Sequence, residues 1–300
     1  MDGALEVPAG LAGAGLADGL APARAAWLAE LPGAVDAARR RWGLDVGRPF
    51  LPGGTSAWVA PVRDTAGRRL VLKVGWRHDE ALHEAEGLAL WDGAGAVRLE
   101  ASAVLGASSA LLLEACEPGT SLAASLDPAD QDVVLAGLLR RLWVPAPAGT
   151  PLRPLEAMCR EWVRGSEAAR ATSAARGAAV PLDPGLVRAG TALFVELAAT
   201  AEEVVVLATD LHAHNVLAAR REPWLAIDPK PYVGDPAYDL LQHLLNSTDR
   251  LVADPWALVR RTAGVCGVDA GRLGQWLFAR CVVGSVWQPH LAAVAERTAP

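Results

Sequence analysis

Apolar positions fall in blocks along the chain, and the spacing within each block switches between helical and extended periods. Residues 1–22 are rich in Gly and Ala with little periodicity and read as a flexible tail. Trp27, Leu28, Leu31, Val35 and Trp42 then recur at helical spacing, predicting a helix over 23–42 that breaks near Pro32. Trp58–Val62 and Leu70–Gly75 are short apolar runs joined by a turn-rich link, which predicts two strands. Asp79–Trp91 reads as helix through Leu82, Leu88, Leu90 and Trp91, and Val97–Leu105 and Ala110–Ala115 read as strands. Cys116-Glu117-Pro118-Gly119 interrupts the pattern, and the domain boundary is placed there.

Helical spacing dominates from that point. Pro128–Trp143 starts acidic and ends in arginines, as the helix dipole prefers. Leu155–Arg170 and Asp183–Thr200 follow. Short extended runs at Val204–Leu207, Val216–Ala218 and Trp224–Ile227 precede helices near 235–247, 255–265 and 270–286. The pattern predicts an α+β protein in three parts. These are the tail (1–22), a strand-rich domain with one helix (23–116) and a larger, mostly helical domain (117–300).

Composition narrows the class. With 300 residues, 52% apolar and 21% charged, the chain has enough material for a core and is excluded from low-hydropathy disorder. A net charge of −6 argues against nucleic acid as a partner and suits a cationic small molecule. No basic-then-apolar leader and no clean run of about 18 apolar residues is present, so neither export nor a membrane span is expected. Cys116, Cys159, Cys266 and Cys281 are widely spaced and read as reduced thiols in a cytoplasmic protein.

The chain has only two lysines, Lys73 and Lys230, among many arginines. They mark places where a compact ammonium matters. Lys73 lies in the apolar run Val71-Leu72-Lys73-Val74, where a charge needs a partner, and Glu84 on the following helix is the natural one. Upstream, Pro52-Gly53-Gly54-Thr55-Ser56 is a loop whose backbone N–H groups can fold over phosphates, a weak signal by itself.

The strongest pattern is downstream. Thr209-Asp210-Leu211-His212-Ala213-His214-Asn215 follows an apolar strand, and Ile227-Asp228-Pro229-Lys230 ends a later one. Two carboxylates and a carboxamide displayed on strand ends are the inventory of phosphoryl transfer: one carboxylate orients and deprotonates an attacking hydroxyl. A carboxamide oxygen and a second carboxylate hold Mg²⁺ across nucleotide phosphates.

These residues together resemble the aminoglycoside phosphotransferase family. The likeness is to the branch of streptomycin 6-phosphotransferases and hydroxyurea-resistance kinases. It rests on Asp210-Leu211-His212 with Asn215, on Ile227-Asp228-Pro229-Lys230-Pro231 with Gly234-Asp235-Pro236, and on Lys73 with Glu84. Leu111-Leu112-Leu113-Glu114 with Pro118-Gly119 adds to it, over roughly residues 25–290. The resemblance implies a bilobal protein-kinase-like fold with a small N-terminal antiparallel sheet lobe. It implies ATP-dependent transfer of the γ-phosphoryl group to a hydroxyl of a streptomycin-like aminoglycoside or to hydroxyurea, with Mg²⁺. Asp210 becomes the catalytic base, and Asn215 and Asp228 the metal ligands. Lys73 and Glu84 serve the phosphates with Gly53, Gly54, Thr55 and Ser56, and backbone groups near Glu114, Ala115 and Cys116 meet the adenine. Two departures stand out: Ala208-Thr209 where many members have His-Gly, and His214 where this branch often has Gly.

Other residues carry smaller expectations. Lys230 and His214 are candidates for contact with the transferred phosphate or the acceptor. Asp235 is expected to cap a helix, Asp239 to hold the 208–215 loop, and His212 to tie that loop to a backbone carbonyl. Asp210-x-His212-x-His214 also matches the opening of a two-metal hydrolase, but the remaining histidines are scattered. A kinase of an unrelated metabolite or amino sugar and a nucleotide-binding pseudokinase stay open as alternatives.

Overall fold

A computed structural model gives the fold and describes residues 5–13, 21–177 and 182–300. Two compact units emerge, one running to Gly119 and including Ala218–Leu225, the other comprising Thr120–Leu217 and Ala226–Pro300. The first unit therefore extends three residues past the boundary expected at Cys116. It also takes in a segment from far down the chain, which no local pattern could announce.

The N-terminal unit is built on a five-stranded antiparallel sheet in the order β1-β2-β3-β5-β4. The strands are β1 (Asp45–Val46), β2 (Ala57–Arg63), β3 (Arg69–Trp76), β4 (Leu99–Leu105) and β5 (Ser108–Glu114). Helices α1 (Ala9–Gly13) and α2 (Ala21–Trp42) share a core with it, in which Leu11, Trp27, Leu31, Trp58, Leu72 and Val74 are almost wholly buried. Three expectations need correction. Residues 5–13 are no loose tail, because Leu11 is sealed in this core; residues 1–4 and 14–20 of that stretch lie outside the described residues. Helix α2 runs through Pro32 instead of breaking, since Leu31 and Val35 on either side are both buried and packing outweighs the proline's lost hydrogen bond. The segment 79–91 is a short 3-10 turn at Asp79–Ala81 followed by α3 (Glu84–Trp91).

The segment Ala218–Leu225 is fastened to this unit by Arg221. Its guanidinium forks onto Glu114 at 2.9 Å on both oxygens and also donates to the carbonyls of Gly93 (2.7 Å) and Ala96 (3.1 Å). Such a bidentate, charge-assisted arrangement is the strong form of hydrogen bonding.

The C-terminal unit begins with α4 (Leu122–Ser125) and α5 (Pro128–Leu142), then β6 (Arg153–Pro154), α6 (Leu155–Ala175) and α7 (Pro184–Ala199). Strands β7 (Val205–Leu207) and β10 (Tyr232–Gly234) follow, with β8 (Val216–Ala218) and β9 (Trp224–Ala226) running into and out of the Ala218–Leu225 segment of the first unit. The chain closes with α8 (Leu241–Asn246), α9 (Thr248–Ala253), α10 (Pro255–Cys266), α11 (Ala270–Gly284) and α12 (His290–Thr298). Strands β6, β10 and β7 form one small sheet, and β8 pairs with β9. Helix α11 is buried on nearly every side from Leu273 to Gly284. Asp132 on α5 is buried at a hub, accepting from His243 (2.7 Å), Arg250 (2.8 and 2.9 Å) and Arg261 (2.5 Å). Burial alone would raise its pKa, but these partners outweigh it and hold the carboxylate far below its ordinary range. Among the described residues no helix is long and apolar enough to cross a membrane, and all four cysteines are free.

Candidate active site

In the N-terminal unit Lys73 sits on β3, flanked by β2 through Val59 and by β5 through Leu111. It is 8% exposed and Glu84, at the start of α3, is 7% exposed. The ammonium lies 2.7 and 2.6 Å from the two Glu84 oxygens. A buried lysine on a central strand is costly unless paired, and this pairing is short and two-pronged. The expected partnership is present. The glycine loop, residues 52–56, connects to β2 with Gly53 at φ +81°, a conformation glycine adopts without penalty.

At the end of β5 the Glu114 side chain is engaged by Arg221 and by the backbone N–H of Arg98. Burial opposes its ionisation, yet these donors outweigh it and lower its pKa. Its side chain therefore serves the fold. Burial, aided by the charge of Glu114, pushes the Cys116 thiol up to about 11, which leaves it unreactive near neutrality.

In the C-terminal unit, β7 and β10 pair antiparallel with Leu207 opposite Tyr232. That register sets the loop after Leu207 beside the segment before Tyr232, and Lys230 N–H donates to the Ala208 carbonyl at 2.8 Å. The ammonium of Lys230 then reaches Asp210 at 2.9 Å. The Asn215 carboxamide nitrogen donates to the Asp210 carbonyl (3.0 Å), which turns its oxygen away as the acceptor end. The Ile227 N–H donates to the Asn215 carbonyl (2.9 Å), so the residue preceding Asp228 is bonded to Asn215. Asp210, Asn215, Asp228 and Lys230 are thus brought onto adjoining segments by backbone bonds.

The loop is held from below. Asp239 is wholly buried and accepts from Ala208 N–H (3.0 Å), Thr209 N–H (2.5 Å) and the Trp143 indole (3.0 Å). Burial pushes its pKa up to about 6 against the pull of those three donors. Asp235 caps the following turn through Ala237 N–H (2.9 Å) and binds Arg272 and Trp276. Both structural expectations hold. His212 does otherwise: its Nδ1 is buried with no hydrogen-bond partner, so the expected tie to a carbonyl is not made through that nitrogen. Burial lowers its pKa and keeps the ring neutral, with Asp210 opposing. His214 is exposed, with its ring 5.9 Å from that of His212.

Among the described residues three non-glycine positions have positive φ, and two of them, Thr209 (+49°) and Asp228 (+53°), lie here. Backbone held in that region needs support from its surroundings. Thr209 receives it from its hydroxyl, which donates to the Lys230 carbonyl at 2.5 Å. The Ala208-Thr209 departure is visible in the sequence, but neither this link nor the anchoring role of Arg221 is.

Among the described residues no group of three or more His, Cys, Asp or Glu could hold a metal. The Asn215 carboxamide and the Asp228 carboxylate offer hard oxygen donors of the kind Mg²⁺ prefers.

The architecture is that of a protein-kinase-like phosphotransferase: a sheet unit with a paired lysine, and a helical unit with a strand-end carboxylate loop. The macrolide 2'-phosphotransferase of Brachybacterium faecium superposes with a TM-score of 0.54 over 89% of this chain and 96% of that one, at 19% identity. The chain belongs to the aminoglycoside/hydroxyurea antibiotic resistance kinase family, whose model matches residues 41–291. It is 36% identical to the streptomycin 6-kinase of Streptomyces griseus over 98% of this chain and 97% of that protein. It is 37% identical to the hydroxyurea phosphotransferase of Kitasatospora aureofaciens over 97% of this chain and 82% of that protein.

Proposed function

We propose that this kinase uses ATP to phosphorylate a hydroxyl of a streptomycin-like aminoglycoside, with hydroxyurea as the second acceptor to test. The observation that carries the reading is a pair of hydrogen bonds, from the Asn215 side-chain Nδ2 to the Asp210 carbonyl and from the Ile227 N–H to the Asn215 carbonyl, that gathers a base and two oxygen donors. Relatives with both named acceptors support the two substrates.

In this mechanism Asp210 orients the acceptor hydroxyl and takes its proton. The acceptor oxygen forms the new bond to the γ-phosphorus, and the bond to the β-phosphate oxygen breaks with its electrons leaving on ADP. Lys73, fixed by Glu84, binds the nucleotide phosphates, over which Gly53, Gly54, Thr55 and Ser56 close. Backbone groups at Glu114, Ala115 and Cys116 receive the adenine. Lys230, beside Asp210, offsets charge on the group in transfer. Asn215 and Asp228 would hold Mg²⁺, which when bound neutralises phosphate charge. His214 faces the acceptor. A cationic acceptor suits the acidic chain, and four free thiols suit a reducing cytoplasm.

Coupled ADP release should be measured across streptomycin, other aminoglycosides, hydroxyurea, amino sugars and small alcohols. Turnover with streptomycin or hydroxyurea well above the rest is the expected result. Turnover only with another alcohol would overturn the acceptor assignment, and nucleotide binding with no turnover on any acceptor would make the chain a pseudokinase.

A further inference from the structure

Residues 6–12 and Arg24 lie against the glycine loop at unusually close range. Gly10 N–H donates to the Pro52 carbonyl at 3.1 Å. Arg24, 6% exposed, donates from one Nη2 to the carbonyl of Leu11 and, at 3.0 Å, to that of Thr55. Trp58 donates to the Glu6 carbonyl at 2.9 Å, and Leu11 is fully buried beside Trp27 and Trp58. Glycine is required on both sides of the approach. A Cβ at Gly10 would sit 2.6 Å from the Gly53 carbonyl oxygen, and one at Gly53 would sit 2.5 Å from Pro8 Cβ.

These contacts fix peptide planes. In a planar trans peptide the C=O of one residue and the N–H of the next point in opposite directions. Tying the Pro52 and Thr55 carbonyls to the N-terminal segment therefore aims the N–H groups of Gly53 and Ser56 away from it. Two outward N–H groups at the ends of one loop are what a phosphate oxygen would meet.

We propose that segment 6–12 and Arg24 form a positioning strap that sets the glycine loop for the nucleotide, so that ATP affinity depends on residues at the chain's start. The inference rests on the reading that residues 53–56 hold phosphates. Arg24 and Gly10 are positioning residues that act through the loop and touch no substrate.

The test compares Gly10→Ala, Arg24→Met and Arg24→Lys with Gly54→Asp in the full chain, following the KM for ATP, the acceptor KM, kcat, calorimetric binding of a non-hydrolysable ATP analogue, and melting temperature. Gly54 has open space around its Cβ position, so the aspartate adds charge without a clash. Gly10→Ala and Arg24→Met should each raise the ATP KM and weaken the analogue about tenfold, the worth of one or two hydrogen bonds. The acceptor KM should stay unchanged, and Arg24→Lys should recover part of the loss. If Gly54→Asp raises the ATP KM while Gly10→Ala and Arg24→Met leave it alone, the strap is overturned. If Gly54→Asp itself has no effect, the phosphate-loop reading fails instead. Equal loss toward ATP and acceptor, tracking a lower melting temperature, also overturns the strap by reducing it to general stability.

Discussion

Asp210 carries two relations that pull on its chemistry in opposite ways. In the proposed mechanism its carboxylate takes a proton from an alcohol, while the Lys230 ammonium, 2.9 Å away, occupies one of its oxygens. A strong base is not what a loose phosphoryl transition state needs; orientation of the hydroxyl and removal of charge from the transferred group matter more. In that mechanism the Lys230 ammonium stands where it can offset charge on the group in flight. Asp210→Asn keeps the shape and the Asn215 bond to its backbone carbonyl, but it removes the proton acceptor. We expect kcat to fall by about 10²–10⁴, with binding of a non-hydrolysable ATP analogue nearly unchanged. A variant that turns over at the wild-type rate would take Asp210 out of the mechanism.

The loop that presents Asp210 is an element with its own pH dependence, because its support at Asp239 titrates near 6. The carboxylate accepts more strongly than the neutral acid from Ala208, Thr209 and Trp143. The unfolded chain loses this proton near pH 4, so between about 4 and 6 the folded state binds more protons. Asp239 thus adds stability that is fully present below the unfolded value and is lost as pH rises through about 6, at roughly 1.4 kcal/mol per unit. Activity runs the other way, since protonation slackens the loop. Lowering the pH from 7 to 5 should reduce kcat while this residue's contribution to melting temperature rises, and Asp239→Asn should remove its part of the melting slope. A flat kcat over that range would show that the loop needs no charge beneath it.

Elements with a strong period were legible in sequence, and those held by single distant contacts were not. Strands β2, β3 and β5 and helices α5, α7 and α10 follow their apolar spacing closely. Strands β6 and β10, two and three residues long, carry no period at all and exist through pairing, β6 with β10 and β10 with β7. Helix α12 did have a signal, with Leu291, Val294 and Ala295 buried at helical spacing, and it went unread. At the site, Lys73 and Glu84 announced themselves because a lysine in an apolar strand demands a partner. Arg221 could not, being one arginine of many, with Glu114, Gly93 and Ala96 more than a hundred residues away. The Thr209 hydroxyl link was hidden because it depends on a backbone angle.

At the scale of the whole molecule, ligand binding and folding are one equilibrium, and that makes the metal assignment testable without turnover. A ligand at a hundred times its Kd stabilises the folded state by about 2.7 kcal/mol, which shifts melting by roughly 2–4 °C per kcal/mol in a chain of somewhat smaller size. Mg²⁺ with a non-hydrolysable ATP analogue should therefore raise the melting temperature by roughly 5–10 °C. The shift should shrink when a chelator removes the metal, since the phosphates would then face the Asp228 carboxylate with no cation between them. In Asp228→Ala the chelator-sensitive part should vanish, because Asn215 alone offers one neutral oxygen. Lys73→Met should cut the shift with and without metal, because its contact is with phosphate directly. A full, chelator-sensitive shift in Asp228→Ala would move the metal to other ligands and leave the Asn215–Ile227 bond as loop architecture alone.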